Sequence, residues 1–261
     1  MAEPLVVRSD AGGVVTLTLN RGERYNPLSS EMIAALDAAL AEVAQSKARV
    51  VVLAGAGKGF SAGHDLKEMR AHSAEPAWQQ KLFDGCSHMM LRLTELPQPV
   101  IARVHGIATA AGCQLVSMCD LAVAAEEARF ALPGVNVGIF CSTPAVGVAR
   151  NIGRKRAMEL LFTGEPVDAR TALAWGLVNR VVPLAEIDTE IARFTKLIEA
   201  RSGGVIAQGK RAFYRQIDQP IAAAYALTNE PMARSVTQPD AAEGIDAFLG
   251  KRPARWSVSG R

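Results

Sequence analysis

The stretch RVVVLAGAG, residues 49–57, constrains the fold more than any other. An unbroken apolar run of strand length, closed by glycines, has no polar face to offer water, so a strand formed there must be covered on both sides. Such strands belong to sheets layered against helices rather than to sandwiches with one wet face. Composition agrees, since 49% of the 261 residues are hydrophobic but only 5% are aromatic, as suits small-residue packing of strands against helices. A chain of this length and apolar content buries a real core, as one large domain or two small ones.

The neighbouring patterns repeat the theme. LVVRSDAGGVVTLTLNR, residues 5–21, is two β-branched runs around Ala11-Gly12-Gly13 and reads as a hairpin. In NPLSSEMIAALDAALAEVAQS, Ser29 or Ser30 is placed to cap a helix on which Met32, Leu36, Leu40 and Val43 recur at helical spacing. A second helix is expected near 76–96, then the strand VIARVHG, a helix near 112–119 and the strand LAVAAEEARFAL. This β, β, α cadence predicts an α/β fold of stacked repeated units rather than one doubly wound sheet. From about Arg154 the segments RKRAMELLFTG, DARTALAWG, LAEIDTEIARFTKLIEAR and PIAAAYALTNEPMARSV are amphipathic and helical, with LVNRVVP the one strand-like interruption.

Several function classes are excluded. A net charge of +3 from scattered Lys and Arg is too mild to call for nucleic acid, though it suits an anionic small ligand. Cys86, Cys113, Cys119 and Cys141 form no CxxC pair, and with four histidines no cluster has metal-ligand spacing, so no metal is expected. The N-terminal residues lack a basic stretch followed by an apolar run, and nothing approaches the roughly 18 continuous apolar residues of a membrane span. The expectation is a reduced, cytoplasmic protein that does not enter membranes.

LAGAGKGFSAGHDLKEM invites a phosphate-loop reading, because backbone N–H groups in glycine turns bind anions. The spacing refuses it. A P-loop needs glycine where Val52 stands and Ser or Thr where Gly59 stands, and the dinucleotide pattern fails at Phe60. Gly55 and Gly57 read as a plain turn. Ala62-Gly63-His64-Asp65-Leu66 and the later GIATAAGCQL share another character: small residues that let a ligand approach the backbone, each followed by a helix whose N-terminus carries partial positive charge. Two such loops together make an oxyanion hole a candidate.

At these residues the sequence resembles the crotonase superfamily, the enoyl-CoA hydratase/isomerase family. LNRGERYNPLS, GFSAGHDLKEM, IARVHGIATAAGCQLVSMCDLAVAAEEARFALPGVNVG and RKRAMELLFTGEPVDARTALAWGLVNRVVP carry the likeness across nearly the whole chain. FSAGHDLKEM, TAAGCQL and PGVNVGIFCSTP look closest to the subgroup of enoyl-CoA hydratase domain-containing proteins. The resemblance implies a spiral of ββα units over residues 1–200 and a helical region over 201–261 that builds a homotrimer or a dimer of trimers. It implies a coenzyme A thioester as substrate or ligand, with no tightly bound cofactor. Two main-chain N–H groups, at His64 and Ala111, would hold the thioester oxygen as it becomes an enolate, with Ala62, Gly63, Asp65, Leu66 and Gly112 shaping the loops around it.

The family's two hydratase glutamates fall at Gln114 and Gly134, so neither carboxylate is present. A general acid or base typically contributes about 100-fold to 10,000-fold, so ordinary hydratase activity is expected to be severely reduced. Other members place a carboxylate near Cys141 or Ser142, where this chain reads IFCSTP. Cys141 reads either as a thiolate or as a small residue in a core turn, while Cys113 reads as core. Asn136, Ser142 and Thr143 either orient water or acyl group or serve turns. Asp65 reads first as a helix cap, and the His64 imidazole as a second ligand contact beside its main chain. His88 and His105 read as satisfied core histidines. By the resemblance, Arg24 in the entry loop is a candidate for the coenzyme A phosphates, as are Lys251 and Arg252 in a tail that often completes a neighbouring subunit's site, against ordinary surface charge. Two functions follow: an acyl-CoA enzyme with an unidentified proton carrier, or a non-catalytic acyl-CoA-binding or scaffold protein.

Overall fold

The computed structural model describes residues 3–257. The hairpin forms as read, with β1 (Val6–Ala11) antiparallel to β2 (Val14–Leu19) and Gly12 at φ +61° in the turn. Ser29 caps α1 (Ser30–Ala44), its hydroxyl accepting from the Met32 N–H at 3.2 Å. The apolar run becomes β3 (Val50–Gly55), parallel to β2 with Val14 opposite Val50 and buried from Val50 to Ala54. After α2 (Leu66–Ala71) and α3 (Pro76–Glu95) comes β4 (Val100–Val104), parallel to β3.

Two departures follow. The glycine-rich segment before the next helix holds a short strand, β5 (Ile107–Thr109), ahead of α4 (Ala111–Met118). LAVAAEEARFAL is not one strand but two, β6 (Leu121–Ala125) and β7 (Arg129–Ala131). Exposed Glu126 and Glu127 cannot continue a strand buried on both faces, so the chain turns there, with the Ala128 N–H on the Ala125 carbonyl at 3.0 Å. The two halves then enter different sheets.

The remainder is helical, as α5 (Ser142–Ile152), α6 (Arg154–Thr163), α7 (Ala169–Trp175), α8 (Ile187–Glu199), α9 (Gly203–Gln216), α10 (Ile221–Val236) and α11 (Pro239–Leu249). LVNRVVP supplies β9 (Arg180–Val182), but it is not the only interruption, because Val167–Asp168 forms a two-residue β8. The six-stranded sheet runs β1-β2-β3-β4-β6-β9 and the three-stranded sheet β5-β7-β8. This is the expected spiral, since successive units feed strands into both sheets. One core, including Leu17, Leu36, Leu53, Met89 and Val104, fills the space between the large sheet and α1, α3 and α4; a smaller one, with Val50, Ile101 and Ile187, lies under α8.

Lys210 ties α9 to this body. Its ammonium, almost fully buried, donates to the carbonyls of Leu93 (2.8 Å) and Gln98 (3.0 Å) and to Asp120 (2.6 Å), while the Tyr214 hydroxyl donates to the other Asp120 oxygen at 2.9 Å. Every lost water contact of that cation is replaced, which is the condition for burying it. Among the described residues no helix is long and apolar enough to cross a membrane, no His, Cys, Asp and Glu cluster could hold a metal, and all four cysteines are buried thiols.

Candidate functional site

The chain leaving β3 is held by a side chain from far upstream. Asn26, fully buried at φ +50°, donates its amide to the carbonyls of Ala56 (2.9 Å), Gly59 (2.9 Å) and Phe60 (3.1 Å) and accepts from the Arg21 N–H at 2.9 Å. Asparagine is among the few residues that tolerate this left-handed conformation. The Ser61 hydroxyl returns to the Asn26 carbonyl at 2.9 Å, and the Leu28 N–H takes the Gly63 carbonyl at 2.8 Å. The loop bearing Ala62, Gly63 and His64 is therefore fixed before any ligand arrives. Asn26 and Ser61 were not singled out from sequence; the signal was the Asn-Pro pair in YNPLS, a turn dipeptide whose partners lie some 30 residues away.

That loop is pressed against the start of α4. The Thr109 N–H donates to the Ser61 carbonyl at 3.0 Å and its hydroxyl to the Ala62 carbonyl at 3.1 Å. A Cβ on Gly63, at φ +87°, would sit 2.8 Å from the Ala110 methyl and 3.0 Å from the Ala111 nitrogen, and one on Gly112 would run into the Ser61 carbonyl oxygen. Only glycine allows this approach. Ala110 is itself held at φ +49°, its N–H on the Ala131 carbonyl at 2.9 Å, which aims the first turn of α4 at the loop. The first helical bond is made by the Gln114 N–H to Ala110, so the N–H groups before it are without intrahelical partners. Among the described residues neither the His64 nor the Ala111 N–H donates to a protein acceptor. Two free donors on adjoining loops, one at a helix N-terminus, can hold a polarised carbonyl oxygen.

The side chains around these donors are neutral. Gln114 is 5% exposed, and its Oε1 is buried with no hydrogen-bond partner. The His64 Nε2 is likewise buried and unpartnered, and its ring stands edge-on to Phe83 at 5.1 Å. Burial pushes the His64 pKa down to about 4 against a smaller opposing pull from Glu68, so the ring is uncharged near neutral pH. Asp65 caps α2, accepting from the Lys67 and Glu68 N–H groups at 2.9 and 3.3 Å, and pairs with Arg24 at 2.9 Å. Arg24 is thereby brought to the loop, half exposed, and exposed Leu66 stands beside it.

Gly134 lies in the 3₁₀ turn Pro133–Val137 that follows β7, and it has no room for a side chain. A Cβ there would meet the Ile139 carbonyl oxygen and lie 2.8 Å from the Cys141 sulfur; the Ile139 N–H closes the turn on the Gly134 carbonyl at 2.9 Å. Burial pushes the Cys141 thiol up, with the Gly134 backbone contact opposing it, so its surroundings suit a packed thiol rather than a thiolate. Cys113 is fully buried, and its thiol is raised to about 12 by burial. Asn136 is exposed and packs against Gly164, and exposed Ser142 opens α5.

Other expectations fail. His88 is exposed and pairs with Arg92 and Asp37 on the surface, so it is not a core histidine; His105 is half-buried with Nε2 on the Gly57 carbonyl at 2.9 Å, and its Nδ1 is buried without a partner among the described residues, so it is not a satisfied one. Lys251 and Arg252, expected in a tail that completes a neighbouring subunit's site, lie away from the loops of their own chain. Arg252 pairs with Glu243, and Trp256 donates to the Ala200 carbonyl at 2.8 Å, next to Arg201, whose carbonyl takes Arg49 at the start of β3. The His64 loop leaves the opposite end of that six-residue strand, about 17 Å away.

Comparison with known proteins adds the following. Residues 9–259 match the family model described as enoyl-CoA hydratase/isomerase. The chain is 43% identical over 246 residues to the mitochondrial enoyl-CoA hydratase domain-containing protein 3 of Rattus norvegicus, covering 94% of this chain and 82% of that protein. A crystal structure of an enoyl-CoA hydratase from Mycobacterium smegmatis matches with TM-score 0.95 at 53% identity, over 97% of this chain and 99% of that one. The crystal structure of human enoyl-CoA hydratase domain-containing protein 3 matches with TM-score 0.93 at 42% identity, over 97% of this chain and all of that one. The cytoplasmic expectation does not stand, because relatives at 42–43% identity from rat, frog, mouse and human are named mitochondrial.

Proposed function

Because the chain belongs to the enoyl-CoA hydratase/isomerase family, we propose that it binds an acyl-CoA thioester and stabilises the thioester enolate between the N–H groups of His64 and Ala111. The observation that carries this reading is the pair of unengaged N–H donors on two loops packed in direct contact. As the carbonyl oxygen gains charge it gains most from fixed donors, and one such donor is worth roughly 3 kcal/mol in the transition state. Gly63 and Gly112 let the loops close to that spacing, and Gln114 lines the space next to the acyl group. Arg24, though shared with Asp65, is the candidate for a phosphate of the nucleotide end. Exposed Ile221, Tyr225 and Met232 on α10 and Phe248 and Leu249 on α11 support a trimer built by residues 201–261, in which Lys251 and Arg252 serve a neighbouring subunit's site.

Ordinary hydration is not part of the proposal, since residues 114 and 134 bring no carboxylate. That same observation favours the second reading, a protein that grips the thioester without turning it over. A panel of acyl-CoAs, from acetyl to long enoyl chains, scored for thermal stabilisation and turnover, tests both. Binding should raise the melting temperature by several degrees at saturating ligand, while crotonyl-CoA absorbance decays far more slowly than with a hydratase bearing both glutamates. No stabilisation by any acyl-CoA would overturn the proposal.

A further inference from the structure

We propose that the His64 imidazole is the proton carrier of this site, its buried Nε2 removing and returning a proton on the carbon next to the thioester carbonyl. The inference rests on the acyl-CoA reading above and deepens it.

The surroundings leave few alternatives. Asp65 is spent on two N–H groups and Arg24, and Glu68 accepts from the Ser30 N–H at 2.9 Å and from its hydroxyl. The Ser61 hydroxyl is committed to Asn26, and burial keeps Cys113 and Cys141 protonated. An amide at Gln114 exchanges no proton near neutral pH. Among the described residues two imidazole nitrogens near these loops are buried without a partner, His64 Nε2 and His105 Nδ1; the His105 ring is held by its other nitrogen on the Gly57 carbonyl, whereas the His64 ring has no hydrogen bond. A buried polar atom without a partner costs about 1–3 kcal/mol, and such atoms call for a functional or ligand-bound explanation. The ring rests edge-on against Phe83 of α3, a contact that fixes its plane without occupying a nitrogen. Glu68 of α2 is the charge acting on it.

Position and basicity both suit the task. The same residue offers its N–H to the thioester oxygen, so the adjacent carbon, one bond beyond a carbonyl held about 2.9 Å from that nitrogen, lies within a side chain's length of the ring. Burial leaves the imidazole neutral with a basicity close to that of a carboxylate, whose usual pKa is about 4.3. In the forward step the Nε2 lone pair takes the proton, the C–H pair becomes the enolate double bond and the carbonyl π pair moves to the oxygen between the two N–H groups. In the reverse step the imidazolium returns the proton and the carbonyl re-forms. Solvent exchange of the ring proton between these steps places deuterium on the carbon, with no other reactant.

The test is deuterium uptake into butyryl-CoA in D2O, read by mass spectrometry, with butyryl-CoA binding measured by calorimetry on each variant. His64→Ala should bind but exchange about 100-fold more slowly or worse, free imidazole should restore part of the rate, and His64→Gln should not recover it. The unsubstituted protein should exchange at a level rate at neutral pH and lose it through an acid limb near pH 4. An unchanged rate in His64→Ala overturns the proposal, as does loss without imidazole rescue in a protein showing no acid limb. Binding without any exchange in the unsubstituted protein overturns the role of His64 but leaves thioester binding standing. Absence of binding overturns the reading beneath it.

Discussion

Residues 114 and 134 are the two positions at which family resemblance places glutamates, and their surroundings differ in kind. The first turn of α4 keeps a buried place for a long side chain, where Gln114 stands with its Oε1 unpartnered. At Gly134 the Ile139 carbonyl and the Cys141 sulfur occupy the place a side chain would need. One position has room for a long side chain; the other has none. A substitution at 114 is therefore reversible by exchanging one amide for a carboxylate, whereas at 134 the loop itself must be rebuilt.

The largest effect should come from forcing the second position. Gly134→Glu is expected to destabilise the fold by about 3 kcal/mol or more, seen as a lowered urea midpoint, because the Cβ meets backbone that cannot rotate away. A well-folded Gly134→Glu protein with hydratase activity would break the comparison.

Next in size is the pH response on the 114 side of the site. The His64 pKa is about 4 in the folded chain against 6.5 unfolded, so the unfolded state binds more protons between those values and stability rises with pH across that window. As pH falls from 6.5 to 4, this group should remove about 3 kcal/mol, to order of magnitude, and urea titrations of His64→Phe should lack that slope. An identical slope in the variant would mean that the ring is not buried neutral.

Gln114→Glu sharpens the contrast, because the shape is already provided. It should fold, bind acyl-CoA and raise proton exchange or crotonyl-CoA hydration by about 100-fold, measured as initial rates. No gain in a variant that binds would show that room for a carboxylate at 114 is not enough. The smallest effect is expected at Cys141, where Cys141→Ser should leave deuterium exchange unchanged and iodoacetamide should label the native thiol slowly, since burial holds it protonated.

Much of this was legible in the chain. The run at 50–54 had to be a covered strand, and Ser29 or Ser30 had to begin a helix, a choice the fold makes for Ser29. The two small-residue loops were visible as places where backbone meets ligand, and the absent carboxylates could be read directly at Gln114 and Gly134. What escaped involved partners distant in sequence. Asn26 looks like a turn residue until the carbonyls of Ala56, Gly59 and Phe60 arrive at its amide. LAVAAEEARFAL looks like one strand until its halves find different sheets.

The sequence by itself determined the layered α/β class, the helices that follow a 3.6-residue period and the identity of residues 114 and 134 as an amide and a glycine, because covered runs, periodicity and residue identity are local properties. Only the tertiary structure decided that Gly134 has no room and that, among the described residues, Gln114 and His64 each bury an unpartnered atom and the His64 and Ala111 N–H groups lie free on touching loops. Those depend on which distant backbone fills the neighbouring space, and a close-packed interior settles that only when all its parts are in place.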